Sequence, residues 1–110
     1  MRRGNLRSGI PAELSQELCT PLTLAPGVRI ERIVSRGHVT AADDWYDQDQ
    51  HEFVLVVDGA ARLELAELGV IAMGPGDWLV IPARQRHRVV WTDGERDTVW
   101  LTVFYDAETT

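Results

Sequence analysis

The chain has 110 residues, of which 45% are hydrophobic and 25% are charged, and its formal net charge is −6. A chain of this size and composition predicts one globular domain, and its acidic balance disfavours non-specific binding to nucleic-acid phosphates. Cys19 is the only cysteine, which excludes an intrachain disulfide and a cluster of thiolate ligands; we expect a buried, unreactive thiol.

The start of the chain predicts neither a secretory signal nor a membrane anchor. Residues 1–7 carry positive charge, but no apolar run follows them. No window in the chain reaches the roughly 20 apolar residues that a membrane-spanning helix needs. We therefore expect a cytoplasmic protein without a membrane partner.

Residues 1–27 predict an N-terminal arm with one short helix. Residues 1–10 are rich in Arg, Gly and Asn, which indicates loose order. Pro11 suits a helix start, and Leu14 and Leu18 lie four residues apart, so we predict a helix of about two turns over residues 11–18. Pro21 and the pair Pro26-Gly27 prevent the helix from continuing.

From residue 28 onwards the chain predicts strands and turns. Apolar and charged residues alternate over residues 28–34, whereas residues 53–57 are continuously apolar and residues 61–65 alternate again. The other predicted strands, separated by turns that contain Gly or Pro, are 70–73, 78–81, 87–91 and 98–105. Roughly seven or eight short strands with such turns predict an all-β sandwich or barrel over residues 28–110.

Two sets of residues at fixed spacings resemble the two motifs of the cupin superfamily. Glu52 and Gly59 match the end of the first motif, G-x5-H-x-H-x3/4-E-x6-G. Gly76, Pro82 and His87 match the second motif, G-x5-P-x-G-x2-H-x3-N, at its spacing. The resemblance implies a cupin jelly-roll barrel, also called a double-stranded β-helix.

The first motif lacks the two histidines that cupins place before the glutamate. Their positions fall at Tyr46 and Gln48, or at Trp45 and Asp47 if the spacing is one residue longer. The sequence Trp45-Tyr46-Asp47-Gln48 resembles that of a subgroup of short, single-domain bacterial cupins of the cupin 2 type.

The second motif also departs from the family's pattern. Arg84 stands at the position of its glycine and Trp91 at that of its asparagine. Trp91 follows Val89 by two residues and His87 by four, so strand alternation places all three side chains on one face. We therefore predict that Trp91 lines the pocket as an aromatic wall.

By resemblance, a divalent ion such as Zn, Fe, Mn or Ni would be held in the barrel, with Glu52 and His87 as its ligands. The amide oxygen of Gln48 would be a further ligand, and Tyr46 would act as the proton donor. Without a metal, His87 would form a hydrogen bond with Glu52 or Tyr46. Other potential ligands lie nearby in the sequence: Asp47, Asp49 and His51. Strand alternation points their side chains away from that of Glu52, unless a β-bulge intervenes.

Three functions are compatible with the sequence. The first is binding of a small organic ligand in a pocket made by Tyr46, Gln48, Glu52, His87 and Trp91. The second is a metal-dependent enzyme of the dioxygenase, isomerase or lyase type. The third, a module that only mediates assembly, is disfavoured because an inert barrel would be filled at lower cost by apolar side chains. The resemblance also implies a homodimer, with residues 18–24 as a contributor, and no nucleic-acid partner.

Overall fold

Eight β-strands form two sheets in the computed structural model, which describes residues 1–107. The strands are β1 (Leu18–Ala25), β2 (Val28–Ser35), β3 (Gln50–Asp58), β4 (Ala61–Leu65), β5 (Gly69–Met73), β6 (Trp78–Ile81), β7 (His87–Thr92) and β8 (Thr98–Asp106). One sheet has the order β1-β2-β8-β3-β6 and the other β5-β4-β7, with every pair antiparallel. The predicted all-β jelly-roll fold is confirmed, and each strand predicted after residue 27 is present.

An apolar core fills one part of the space between the two sheets. Leu63 and Leu65 of β4 point inward, whereas Arg62 before them is exposed and Glu64 between them is half-buried, as the alternation predicts. They pack in one cluster with side chains from the facing strands, including Val56 and Trp100. Burying each such side chain contributes on the order of 1.5–3 kcal/mol, so this cluster fixes how the two sheets pack.

The predicted helix over residues 11–18 is wrong. Residues 11–17 have no regular structure, and Leu18 begins β1, where it pairs with Val34 of β2. The guanidinium group of Arg36 donates hydrogen bonds to the carbonyl oxygens of Pro11 and Ala12, at 3.3 and 2.7 Å. An isolated helix of about two turns is marginal in water, so these tertiary contacts outweigh its weak local preference.

The first ten residues, which we expected to be loosely ordered, are held against β1 and β2. Arg32 of β2 donates hydrogen bonds to the carbonyl oxygens of Leu6 and Ser8, at 3.2 and 2.5 Å. Arg2 donates a hydrogen bond to the carbonyl oxygen of Leu22 at 2.7 Å. Among residues 1–107 there is no helix that is long and apolar enough to cross a membrane.

Candidate functional site

A cavity of about 370 Å³ lies between the two sheets, beside the apolar core. This volume is within the range of small-molecule sites in proteins, roughly 300–1,000 Å³. Its apolar lining comes from both sheets and consists of Ile33, Val54, Leu63, Ile81, Val89, Trp100 and Phe104. Its polar lining consists of Glu17, Cys19, Arg29, Glu31, Tyr46, Gln48, Glu52, His87 and Thr102. A cavity that combines apolar side chains with several polar groups is typical of a site that orients a ligand.

Glu52 and His87 meet inside this cavity. Glu52 is in the first part of β3 and His87 begins β7, and their exposed fractions are only 8% and 5%. The Nε2 atom of His87 lies 3.2 Å from Oε1 of Glu52. The amide nitrogen of Gln48 donates to the same oxygen, also at 3.2 Å. The buried carboxylate therefore has two hydrogen-bonding partners, which offset the cost of removing it from water.

The strand-like segment before β3 brings Tyr46 and Gln48 to the cavity. The backbone N–H of Tyr46 donates to the carbonyl oxygen of His87 at 2.8 Å, and the N–H of His87 donates to that of Tyr46 at 3.1 Å. This bridge adds the segment to the edge of the smaller sheet beside β7. Of the two registers that the sequence allowed, Tyr46 and Gln48 line the cavity. Trp45 instead packs under Arg88, whose guanidinium carbon is 4.6 Å from the ring centroid.

Arg84 fixes the position of Gln48, although it stands where the cupin motif has glycine. Its backbone φ is +68°, in the left-handed region that glycine adopts more easily. In this conformation its N–H donates to the carbonyl oxygen of Gln48 at 2.7 Å. Its side chain also forms an exposed ion pair with Asp47, with 3.4 Å between nitrogen and oxygen. The turn geometry of the motif is therefore retained without its glycine.

Two opposing influences act on the pKa of His87. Burial, the larger single effect, lowers it, but the hydrogen bond with Glu52, the hydrogen bond to the carbonyl oxygen of Gln85 and the charge of Glu52 raise it. Together these contacts leave the pKa above its usual value of 6.5. The Nδ1 atom lies 2.9 Å from the Gln85 carbonyl oxygen, which fixes the ring with Nε2 toward Glu52.

The phenol of Tyr46 remains protonated at neutral pH. Burial raises its pKa, and so do the negative charges of Glu17, Asp44 and Glu52, against the opposing effect of a hydrogen bond with Thr40. The residue is 45% exposed, and the centroid of its ring lies 5.5 Å from that of the His87 ring. Tyr46 is therefore a neutral hydrogen-bond donor beside the Glu52–His87 pair.

The donor set does not fit a tightly held resident metal ion. Of the four cavity residues at the ligand positions of the cupin motifs, Tyr46, Gln48, Glu52 and His87, only the last two carry strong ligand atoms. Within residues 1–107 no three His, Cys, Asp or Glu side chains are arranged to hold an ion. The raised pKa of Tyr46 disfavours a phenolate ligand, and an amide oxygen such as that of Gln48 binds transition metals weakly. Structural zinc sites have four protein ligands and catalytic zinc sites have three.

Trp91 does not line the cavity, contrary to the sequence prediction. It is 38% exposed and packs under the guanidinium group of Arg62, 4.9 Å from its ring centroid. In the pairing of β4 with β7, Arg62 is opposite Trp91 but Leu63 is opposite Val89, so Val90 is an extra residue. Such a bulge reverses the alternation beyond it and turns Trp91 to the outer surface.

Five polar residues of the cavity lining were not predicted as site residues: Glu17, Cys19, Arg29, Glu31 and Thr102. Arg29 and Glu31 alternate with apolar residues in β2 as predicted, but they are on the cavity side. Glu31 accepts hydrogen bonds from Nε of Arg29 at 3.0 Å and from the thiol of Cys19 at 3.1 Å. Glu17 accepts one from the hydroxyl group of Ser35 at 3.1 Å. Alternation alone cannot tell which face of a strand will be enclosed, so the sequence contains no clear signal for these residues.

The thiol of Cys19 is exposed, not buried as expected. Desolvation, its hydrogen bond to Glu31 and the negative charges of Glu31 and Glu17 raise its pKa to about 11, against the opposing charge of Arg29. Because the thiolate is the reactive form, this thiol is unreactive at neutral pH.

Comparison with known proteins agrees with this architecture. A family model described as "Cupin domain" matches residues 33–104. A protein from Ralstonia eutropha JMP134 named "putative mannose-6-phosphate isomerase" is 44% identical, and its structure has a TM-score of 0.93 over 97% of this chain and 100% of that chain. No curated protein matches the chain.

More distant relatives have the same fold. A cupin superfamily protein from Desulfitobacterium hafniense DCB-2 is 19% identical, with a TM-score of 0.74 over 89% of this chain and 84% of that chain. An RmlC-like cupin family protein with a double-stranded β-helix fold, from Methanocaldococcus jannaschii, is 14% identical, with a TM-score of 0.69 over 89% and 87%. The matched residues 33–104 and the 44% identity to the Ralstonia protein show that this chain belongs to the cupin family.

Proposed function

We propose that the protein binds a small hydroxylated organic molecule in the barrel cavity, with Glu52 and His87 as its central contacts. The observation that carries the proposal is the hydrogen-bonded group of Glu52, His87 and Gln48 within a cavity of about 370 Å³. A buried carboxylate beside an imidazole is costly to retain in a barrel core that apolar side chains could fill. A ligand that uses both groups accounts for their presence.

The chemistry of the pair suits hydroxyl and carbonyl groups. The carboxylate of Glu52 accepts a hydrogen bond from a ligand hydroxyl group. When His87 is protonated, which its raised pKa favours, its Nε2–H points at Glu52 and can be shared with a ligand oxygen that comes within reach. The phenol of Tyr46 supplies a second donor next to the His87 ring. An imidazole and a carboxylate in contact can also exchange a proton with a bound ligand, which would support acid–base chemistry.

A metal-dependent isomerase is the second candidate. The name of the 44% identical Ralstonia protein favours it and suggests a sugar phosphate as the substrate. The two strong donors, Glu52 and His87, would then need oxygen atoms of the substrate or of water to complete the coordination of the ion. Elemental analysis of protein purified without chelator separates the candidates. One equivalent of metal that is lost in both Glu52→Gln and His87→Ala would favour the isomerase.

Titration calorimetry with a panel of sugars, sugar phosphates and hydroxy acids tests the first candidate. We expect at least one class of the panel to bind, and Glu52→Gln and His87→Ala each to weaken that binding about tenfold or more, since each removes a buried hydrogen-bonding partner.

Two matched variants control for the loss of charge and of an imidazole. Glu64→Gln alters a carboxylate that pairs with Arg88 outside the cavity lining, and His51→Ala removes a histidine that does not line the cavity. Both should bind like the wild type. Unchanged affinity in both cavity variants, or no binding by any member of the panel, would overturn the proposed function.

A further inference from the structure

Three residues far apart in the chain form one row across the larger sheet. Arg29 of β2 is directly opposite Phe104 of β8, and Phe104 is directly opposite Glu52 of β3. All three side chains line the cavity. Since neighbouring strands lie about 4.8 Å apart, the backbones of Arg29 and Glu52 are separated by roughly 10 Å. The row therefore joins the Glu52–His87 pair to a guanidinium group across one aromatic ring.

The guanidinium group of Arg29 is held in a defined orientation. Its central carbon lies 4.2 Å from the centroid of the Phe104 ring, and its Nε donates to Glu31 at 3.0 Å. A guanidinium group has five N–H donors, and within residues 1–107 Glu31 is the only group recorded as accepting from Arg29. The side chain is 43% exposed. Donors thus remain for a ligand on a side chain that needs little further ordering.

The charges around the cavity leave one place for an anionic group. In the part of the chain that the structure describes, Arg29 is the only Arg or Lys side chain in the lining. The carboxylates of Glu17, Glu31 and Glu52 also line the cavity and repel an anion, and the charge of Glu52 offsets that of a protonated His87 beside it. Glu31 also reduces the attraction of Arg29, but the two unused nitrogen ends of a guanidinium group still match an oxyanion bidentately. A ligand with one anionic end would consequently bind in a single orientation.

We propose that Arg29 determines the ligand class of the cavity by binding an anionic group, a phosphate or a carboxylate. The inference rests on the proposed function, because the hydroxylated part of the same ligand would reach Glu52 and His87. The carbon skeleton between the two ends would pass beside Phe104, which lies between Arg29 and Glu52 in the row. The ligand is then a sugar phosphate or a sugar-derived hydroxy acid that spans roughly two strand spacings.

Calorimetric titration with glucose 6-phosphate, gluconate and glucose tests the inference, since these probes share a carbon skeleton but differ in the anionic group. We expect at least one anion to bind the wild type about tenfold or more tightly than glucose. Arg29→Gln should remove that advantage while leaving the affinity for glucose unchanged. If Arg29→Gln weakens the binding of glucose 6-phosphate alone, the anionic group of the ligand is a phosphate. If it weakens the binding of gluconate alone, that group is a carboxylate.

Arg96→Gln is the matched control, because it removes the same charge from an exposed ion pair with Asp93 outside the cavity. If Arg29→Gln alone fails to fold because Glu31 loses its counter-charge, the double variant Arg29→Gln/Glu31→Gln removes both charges together. Arg29→Lys should retain part of the preference for anions.

Two outcomes separate this inference from the proposed function. If glucose and the anions bind equally well, or if neither Arg29→Gln nor the double variant changes the preference for anions, Arg29 has no such role and the cavity still binds hydroxylated molecules. If none of the probes binds and the wider panel also fails, the proposed function is wrong, and the inference falls with it.

Discussion

Glu52 and His87 are ionisable side chains that are almost fully removed from solvent, with exposed fractions of 8% and 5%. Each would be costly to bury alone, and each has the other as its partner at 3.2 Å. The hydrogen bonds from Gln48 to Glu52 and between His87 and the Gln85 carbonyl complete the group. The ionisation of His87 is consequently coupled to the stability of the barrel.

Replacement of His87 by Gln should reduce stability in a pH-dependent way. The pKa of His87 is raised above 6.5 in the folded protein, so its protonation favours the folded state. This contribution is fully present below pH 6.5 and is lost as pH rises through the raised pKa. Urea unfolding at a series of pH values should give a wild-type advantage over His87→Gln that shrinks with increasing pH.

The cause of that pH dependence can be tested in the Glu52→Gln background. There the charge that raises the pKa of His87 is absent, so the further change His87→Gln should have a weaker pH dependence. If the difference in unfolding free energy between the wild type and His87→Gln instead grows with increasing pH, the pKa of His87 is not raised in the folded protein.

At the scale of elements, the hairpin between β3 and β4 depends on a close approach to the start of β8. Gly59 has φ +87°, and a Cβ atom added there would lie 2.5 Å from the Cα of Thr98 and 2.6 Å from the carbonyl oxygen of Asp97. The carbonyl oxygen of the next residue, Ala60, accepts a hydrogen bond from the Thr98 hydroxyl group at 3.0 Å. Gly59, a position of the first cupin motif, therefore serves packing in addition to turn formation.

Replacement of Gly59 by Ala should strongly destabilise the protein. The left-handed backbone costs a non-glycine residue roughly 1–2 kcal/mol, and the clash with backbone atoms adds about 1–3 kcal/mol. Gly94→Ala is the matched control, since nothing lies within 4 Å of its added Cβ atom. Chemical denaturation should show a large loss of unfolding free energy for Gly59→Ala and little change for Gly94→Ala. Equal losses in the two variants would rule out the steric explanation.

At the scale of the whole molecule, β1 is one of the two edge strands of the larger sheet, with β6 at the opposite edge. β1 pairs with β2 on one side, and within residues 1–107 no strand pairs with its other side. Leu24 near its end is 66% exposed. An unpaired edge with apolar side chains is a suitable surface for a second copy of the chain.

We therefore expect a homodimer that forms through β1. Light scattering at micromolar concentration should give twice the mass of the 12.4 kDa chain. Leu24→Lys should shift the protein toward monomer, because it places a charge on the proposed contact. Leu68→Lys is the control, since Leu68 is 72% exposed in the turn between β4 and β5. A monomeric wild type would contradict the prediction.

Much of the barrel was predictable because strand alternation and turn residues act over short distances. The alternation around Leu63 and Leu65 identified β4, and the Asp58-Gly59 turn separated it from β3. Motif spacing also identified Glu52 and His87, which the structure brings to 3.2 Å. Side chains at such fixed positions meet whenever the family's barrel forms.

The sequence by itself determined the all-β barrel and the two buried residues at the centre of its cavity, because local pattern and motif spacing specify both. Only the tertiary structure decided the remainder. The predicted helix over residues 11–18 is absent because Arg36 binds the backbone of Pro11 and Ala12 and because Leu18 pairs with β2. Trp91 faces outward because of a bulge that exists only against β4. Arg29 and Glu31 line the cavity because the face of β2 that becomes enclosed depends on how the sheets pack.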